Sequence, residues 1–132
     1  MLPRFLLDTH VLMRWVIEPR KLSRSQMRAL EDAVRRAEPV AFSSMSLLEM
    51  ALLSTQGRLR TKLNEFFEEL QANPAMRVLP LTYEIAQEVA SIGNALRDPA
   101  DRAIVATARV HRLRLVTSDQ RIIDSRLVAV VD

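Results

Sequence analysis

Arg4-Phe5-Leu6-Leu7-Asp8-Thr9-His10-Val11-Leu12 contains the change of period on which the fold turns. Phe5-Leu6-Leu7 is a short strand-like apolar run that stops at an acid. Thr9 is a hydroxyl residue able to cap a helix, and apolar residues then recur at helical spacing to residue 17. The same unit repeats outward along the chain. Strands are expected at 4–7, 40–43, 77–79, 113–117 and 127–131, with helices at 9–17, 25–37, 46–54, 61–72, 83–93 and 99–111. Ser46 stands three residues before Glu49, the spacing of a capping box; Thr61 and Thr82 are further caps, and Pro99 suits a first helical turn. Pro39, Pro74 and Pro80 fall in or beside connections. Alternating strands and helices predict an α/β domain with a mainly parallel central sheet and helices on both faces. Ligands of such sheets bind at the carboxyl ends of strands, near a topological switch point.

Composition sets the limits. The 132 residues suffice for one domain, 1–132, and with two glycines and no low-complexity tract there is no linker, boundary or repeat. No cysteine is present, which removes disulfides and thiolate metal sites and fits a reducing compartment. The apolar run at residues 5–7 is too short for the core of a signal peptide, and no stretch reaches the roughly 18–20 apolar residues of a membrane span. A cytoplasmic protein without a membrane partner is expected. The net charge of +3 is modest, and lysine occurs only at Lys21 and Lys62. Arginine's planar fork suits phosphate, but an arginine bias also follows from codon usage, so charge does not choose a partner.

Four acids occupy the places that the sheet rule singles out. Asp8 ends the first apolar run; Glu49 lies in the helix after 40–43; Asp101 begins the helix before 113–117; Asp119 follows that strand. Taken singly, each fits a turn former, a helix cap or a favourable charge at a helix start, as does Asp98. Taken together, they approach one edge of the sheet from separate parts of the chain. Crowded carboxylates raise one another's pKa, and a hard cation relieves the crowding. Mg²⁺ or Mn²⁺ takes oxygen ligands, keeps several waters and is commonly shared with substrate phosphate. The chemistry suggested is metal-assisted phosphodiester hydrolysis without a nucleophilic side chain.

Leu7-Asp8-Thr9-His10-Val11-Leu12 resembles the opening of a PIN domain of the VapC toxin type. The resemblance continues at Ser43-Ser44-Met45-Ser46-Leu47-Leu48-Glu49-Met50-Ala51-Leu52 and at Asp98-Pro99-Ala100-Asp101-Arg102-Ala103-Ile104-Val105-Ala106-Thr107-Ala108. It ends at Leu115-Val116-Thr117-Ser118-Asp119, in the family's order and separations along essentially the whole chain. It implies a PIN-like three-layer α/β/α fold, a Mg²⁺- or Mn²⁺-dependent endoribonuclease, and the toxin role in a toxin–antitoxin pair. Carried over, Asp8 and Asp101 are the main metal ligands; Glu49 binds a second metal or a metal-bound water, and Asp119 completes the site. Thr117 or Ser118 orients Asp8, and Asp98 contributes through water if it is not only a cap. Leu96 and Ala100 depart from the family, which usually carries histidine or an aromatic residue near this block. Lone His10 is read as structural, His111 as a cation at a helix end, and Arg102 as the partner of a neighbouring acid.

The segment 47–53 is apolar on nearly every face, and Phe66-Phe67 adds two aromatics to the next helix. Both helices are deeply buried, or part of this surface meets a partner. The resemblance implies a homodimer and a VapB-like antitoxin laid across a groove above the acids, with Leu48 and Leu52 in that groove. Two other readings remain. One is a catalytically silent PIN-like module that binds RNA or protein. The other is a response-regulator-like pocket, which needs a lysine near the acids; Lys62, inside a helix, supplies it poorly.

Overall fold

The computed structural model describes residues 1–132. In chain order the elements are β1 (Phe5–Leu7), α1 (Thr9–Ile17), α2 (Arg24–Arg35), β2 (Val40–Ser43), α3 (Ser44–Thr55), α4 (Leu63–Ala72) and β3 (Met76–Leu79). There follow α5 (Tyr83–Ile92), α6 (Pro99–His111), β4 (Arg114–Val116), α7 (Gln120–Ser125) and β5 (Val130–Val131), with 3₁₀ turns at Pro19–Lys21 and Gly93–Ala95.

The sheet order is β3-β2-β1-β4-β5, and every neighbouring pair is parallel. The chain steps outward from β1 through β2 to β3, then crosses back to lay β4 on the other side of β1. The switch point therefore lies between the carboxyl ends of β1 and β4.

The inner strands are buried on both faces because their alternate side chains enter different cores. Phe5, Leu7, Val40, Phe42 and Val116 join Val11, Leu12, Leu30, Met50 and Phe66 on one side. Leu6, Ala41 and Leu115 join Ile104, Val105, Ala108 and Ile122 on the other. Leu6 and Leu7 are completely buried, each contributing about 2 kcal/mol of apolar transfer energy. Central β1, packed from both sides, thus forms a rigid base for the residue that follows it.

The limits expected for strand 40–43 and helices 9–17 and 99–111 coincide with β2, α1 and α6. The last strand begins three residues later than expected, at Val130, and α7 lies between it and β4. Six residues are too few for α7 to show a helical period in sequence. Three caps also differ. Asp8, not Thr9, caps α1, accepting from the backbone N–H groups of His10 and Val11. Ser43, not Ser46, caps α3 by accepting from Met45 N–H. Lys62 precedes α4 without any side-chain cap, so Thr61 has no such role. Thr82 caps α5 as expected, and Pro99 opens α6.

Candidate active site

Asp8 stands directly beyond β1, where its backbone N–H still donates to Val116 O at 3.1 Å. The residue is 6% exposed. Oδ1 accepts from His10 N–H at 2.8 Å and Val11 N–H at 3.2 Å, while Oδ2 accepts from the Thr117 hydroxyl at 2.5 Å. Thr117 in turn accepts from Asp119 N–H at 3.0 Å. One hydroxyl beyond β4 thus joins Asp8 to the turn that carries Asp119. Ser118, the alternative orienting residue, points elsewhere, because its Oγ accepts from the buried Gln26 side chain at 2.9 Å. Gln26 is itself held by a capping box with Ser23.

Glu49 reaches the same edge from α3. Thr9 Oγ1 donates to Glu49 Oε1 at 2.5 Å and lies 2.8 Å from Ser46 Oγ. Thr9 has one hydroxyl hydrogen, and with Glu49 ionised that hydrogen is committed to it; Ser46 is then the donor to Thr9. Thr9 and Ser46 are both buried, so they cost free energy unless bonded, and here each bonds the other. In sequence both are cap candidates; in the fold they instead bridge α1 and α3. Nothing in the sequence separates a hydroxyl that caps its own helix from one that reaches another element.

From the start of α6, Asp98 accepts from the N–H groups of Ala100 and Asp101, which makes it the helix cap. Asp101 follows one turn later. Burial, then the charges of Asp98, Asp119, Glu49 and Asp8, push its carboxyl up to about 7. Burial also raises Glu49; the Thr9 hydrogen bond and the His10 charge work against that rise, while Asp98 and Asp8 add to it. The five acids therefore share one electrostatic field at the carboxyl ends of β1, β2 and β4.

The basic groups here are few. Exposed Arg121 has Nε 3.6 Å from Asp119 Oδ1, and exposed His10 acts on Glu49 at longer range. Arg102 is not an acid's partner: its Nε donates to Leu96 O and its Nη2 to Asn94 Oδ1 at 3.3 Å. The guanidinium instead braces the turn before α6. His111 closes α6, in its last turn.

No three of the acidic side chains stand together as a ready coordination shell. The donor set is nevertheless all oxygen, and the Asp101 carboxyl is raised first by burial and then by its acidic neighbours. Both features fit a hard cation that touches one or two carboxylates and keeps its remaining waters. A groove of about 420 Å³ opens beside Asp98 and Asp101, between Arg97 and Arg121. A larger one, about 850 Å³, lies at the other end of the sheet, where Arg109 pairs with Glu88 at 2.8 Å. It holds no acidic cluster, so the chemistry rather than the volume locates the site.

Of the apolar surface on α3, Met50 is buried, whereas Leu48 and Leu52 are 51% and 50% exposed. On α4, Phe66 is buried and Phe67 partly so. No helix is long and apolar enough to cross a membrane.

Known proteins resemble the chain in sequence and in fold. The family model described as "PIN domain" matches residues 5–126. Ribonuclease VapC22 of Mycobacterium tuberculosis is 34% identical over 118 residues, covering 89% of this chain and 88% of its own length. The crystal structure of VapBC2 from Rickettsia felis, bound to a DNA fragment from their promoter, superposes with TM-score 0.73. It has 12% identity and covers 96% of both chains. The structure of FitAB bound to the IR36 DNA fragment gives 0.69 at 25% identity, with 96% of this chain and 92% of that one covered.

Proposed function

The chain belongs to the PIN-domain family, and from that premise we propose that residues 1–132 act as a Mg²⁺- or Mn²⁺-dependent endoribonuclease, the toxin of a toxin–antitoxin pair. Similarity to a named ribonuclease along nearly nine-tenths of the chain supports the ribonuclease part. The single observation that carries the metal part is Asp101: half-buried among four other acids, its carboxyl rises to about 7. Such crowding is unfavourable in a protein that works alone and is relieved by a cation.

Asp8 and Asp101 would hold the ion, with Glu49 and Asp119 on either side of it. When bound, Mg²⁺ or Mn²⁺ supplies positive charge at the scissile phosphate and makes a water a better nucleophile. The chain's own residues supply geometry. Thr117 fixes Asp8 Oδ2 and Thr9 fixes Glu49 Oε1, so that two acids on different elements hold constant orientations. The turns after β1 and β4 hold Asp8 and Asp119 through the same hydroxyl. Asp98, occupied as a cap, contributes charge more than a ligand oxygen. Glu49 and Asp119 would accept a hydrogen bond from the attacking water.

Antitoxin and homodimer follow the same reading. The half-exposed Leu48 and Leu52 lie on α3 next to Glu49, and a helical or extended antitoxin segment laid there would cover the acids.

The test is RNA cleavage by purified chain in Mg²⁺, Mn²⁺ or excess EDTA. Cleavage in either metal, abolished by EDTA, is the expected result. Full activity in chelator overturns the metal-dependent reading. RNA that is bound but never cut, under any metal, favours the silent binding module instead.

A further inference from the structure

A second groove, of about 180 Å³, flanks the acids on the side of α1. Its wall is built from His10 and Arg14 of α1, four residues apart and so on one helical face, and from Glu18 and Lys21 at the following turn. Arg58 and Arg60, in the connection after α3, close it. Four permanent cations face a single carboxylate. The groove beside Asp101 is the reverse, with Arg97 and Arg121 against Asp98, Asp101 and Asp124. The two sides of the site therefore carry opposite charge balances.

The cations of the α1 groove differ in what they already bind. Glu18 takes Arg60 Nη1 at 2.5 Å, Lys21 Nζ at 3.3 Å and Arg20 Nη2 at 3.8 Å, which fixes Arg60 and Lys21 in place. None of the ion pairs in the molecule includes Arg14 or Arg58. Arg14 is moreover partly buried, which strengthens its pull on an anion that enters. His10 belongs both to this groove and to the field acting on Glu49, so one side chain links the groove to the acids.

We propose that this groove holds the backbone phosphates of a single RNA strand next to the scissile bond, with Arg14 and Arg58 as the contacting guanidiniums. The assignment rests on the ribonuclease reading above. A phosphodiester approaching five carboxylates is repelled by them, and two unpaired guanidiniums on one flank offset that repulsion and set the side from which the strand enters. Glu18 holds the neighbouring cations in place, so the strand meets a groove already arranged for it.

The test uses the Asp8→Asn chain, which should bind RNA without cutting it, and a fluorescein-labelled single-stranded RNA of mixed sequence. Adding Arg14→Ala and Arg58→Ala should weaken binding about tenfold near physiological salt and lower the slope of log Kd against log salt by about 1.4, two single-strand contacts' worth. Arg28→Ala with Arg35→Ala removes the same charge from α2 and should leave both values at those of the Asp8→Asn chain. Arg14→Lys with Arg58→Lys should recover most of the loss. Unchanged affinity and slope in the Arg14, Arg58 variant overturn the groove, as does an equal loss in the α2 control. A variant that keeps RNA but loses an acidic antitoxin segment reassigns the groove to that protein and also overturns it. If the parent cuts RNA while the groove variant binds normally, only the groove fails. If the parent neither binds nor cuts RNA, both readings fall.

Discussion

Two groups of carboxylates lie at opposite ends of β1 and have been treated in opposite ways. At the amino end, Arg4 donates from Nε to Glu38 at 2.6 Å and from Nη2 to Asp32 at 2.7 Å, with Arg35 and Arg36 adding to Asp32. The Arg4 hydrogen bond, opposed by burial and helped by the three arginine charges, holds the Asp32 carboxyl below its ordinary range. At the carboxyl end, Asp8, Glu49, Asp98, Asp101 and Asp119 share a field with little cationic relief, and Asp101 is raised to about 7. An acid that serves the fold is given its counter-ion by the chain. Asp8, Glu49 and Asp98, left without one, are held in place by hydroxyls and backbone N–H groups, which orient an oxygen but bring no charge.

The sharpest way to break this contrast is to neutralise one acid at each end. Asp8→Asn or Asp101→Asn should reduce RNA cleavage by about 100-fold or more, because each removes charge where a cation would sit. Asp98→Asn should cost less, its oxygen being engaged by α6. Asp32→Asn should leave cleavage at the parental rate. If Asp32→Asn were as damaging as Asp101→Asn, at equal folded fraction by circular dichroism, the division between the two ends would be wrong.

An intermediate effect is expected from the hydroxyls. Thr9→Val keeps the shape of the side chain but removes the donor to Glu49 and leaves buried Ser46 without its partner. Mn²⁺ affinity, measured by calorimetry, should fall about tenfold, and cleavage with it. Thr9→Ser should restore both. Restoration of stability but not of metal affinity would show Thr9 to be a packing residue only.

The smallest effect is on stability, and its sign differs between the ends. The folded pKa of Asp101 is about 7 against an ordinary 3.8. The metal-free fold therefore loses stability as pH rises from about 4, where the unfolded chain ionises, to about 7, where the folded form does; above that the loss is constant. Asp101→Asn removes the loss, so its melting temperature should exceed the parent's at pH 8 and match it at pH 4. The gain is on the order of 1 kcal/mol once the partial exposure of this carboxyl is discounted. Added Mn²⁺ should stabilise the parent and not the variant. Asp32 behaves oppositely: its lowered pKa contributes stability present above about 4 and lost as pH falls through the folded value. Arg4→Ala should accordingly lower the melting temperature at pH 8, leaving nearly buried Glu38 without its donor. A higher melting temperature for Arg4→Ala, or a lower one for Asp101→Asn, would reverse the assignment of the two ends.

Sequence by itself determined the alternation of strands and helices, the extent of α1, β2 and α6, and the placing of acids just beyond strands or at helix starts. These are local properties: apolar period follows from backbone geometry, and a residue after a strand in a parallel sheet has only one edge to stand on. Only the tertiary structure decided what each polar side chain does there. Asp8 and Thr117 are 109 positions apart, and Thr9 lies 37 and 40 positions from Ser46 and Glu49. A hydroxyl can satisfy its hydrogen bond on its own helix or on another element, with similar energy in either place. Burial makes the bond obligatory, and the packing of α1 against α3 and the pairing of β1 with β4 determine which partner is within reach. The same holds for Arg14 and Arg58. They are ordinary surface arginines in the sequence, and they form one groove wall only because the turn after α3 folds back beside α1.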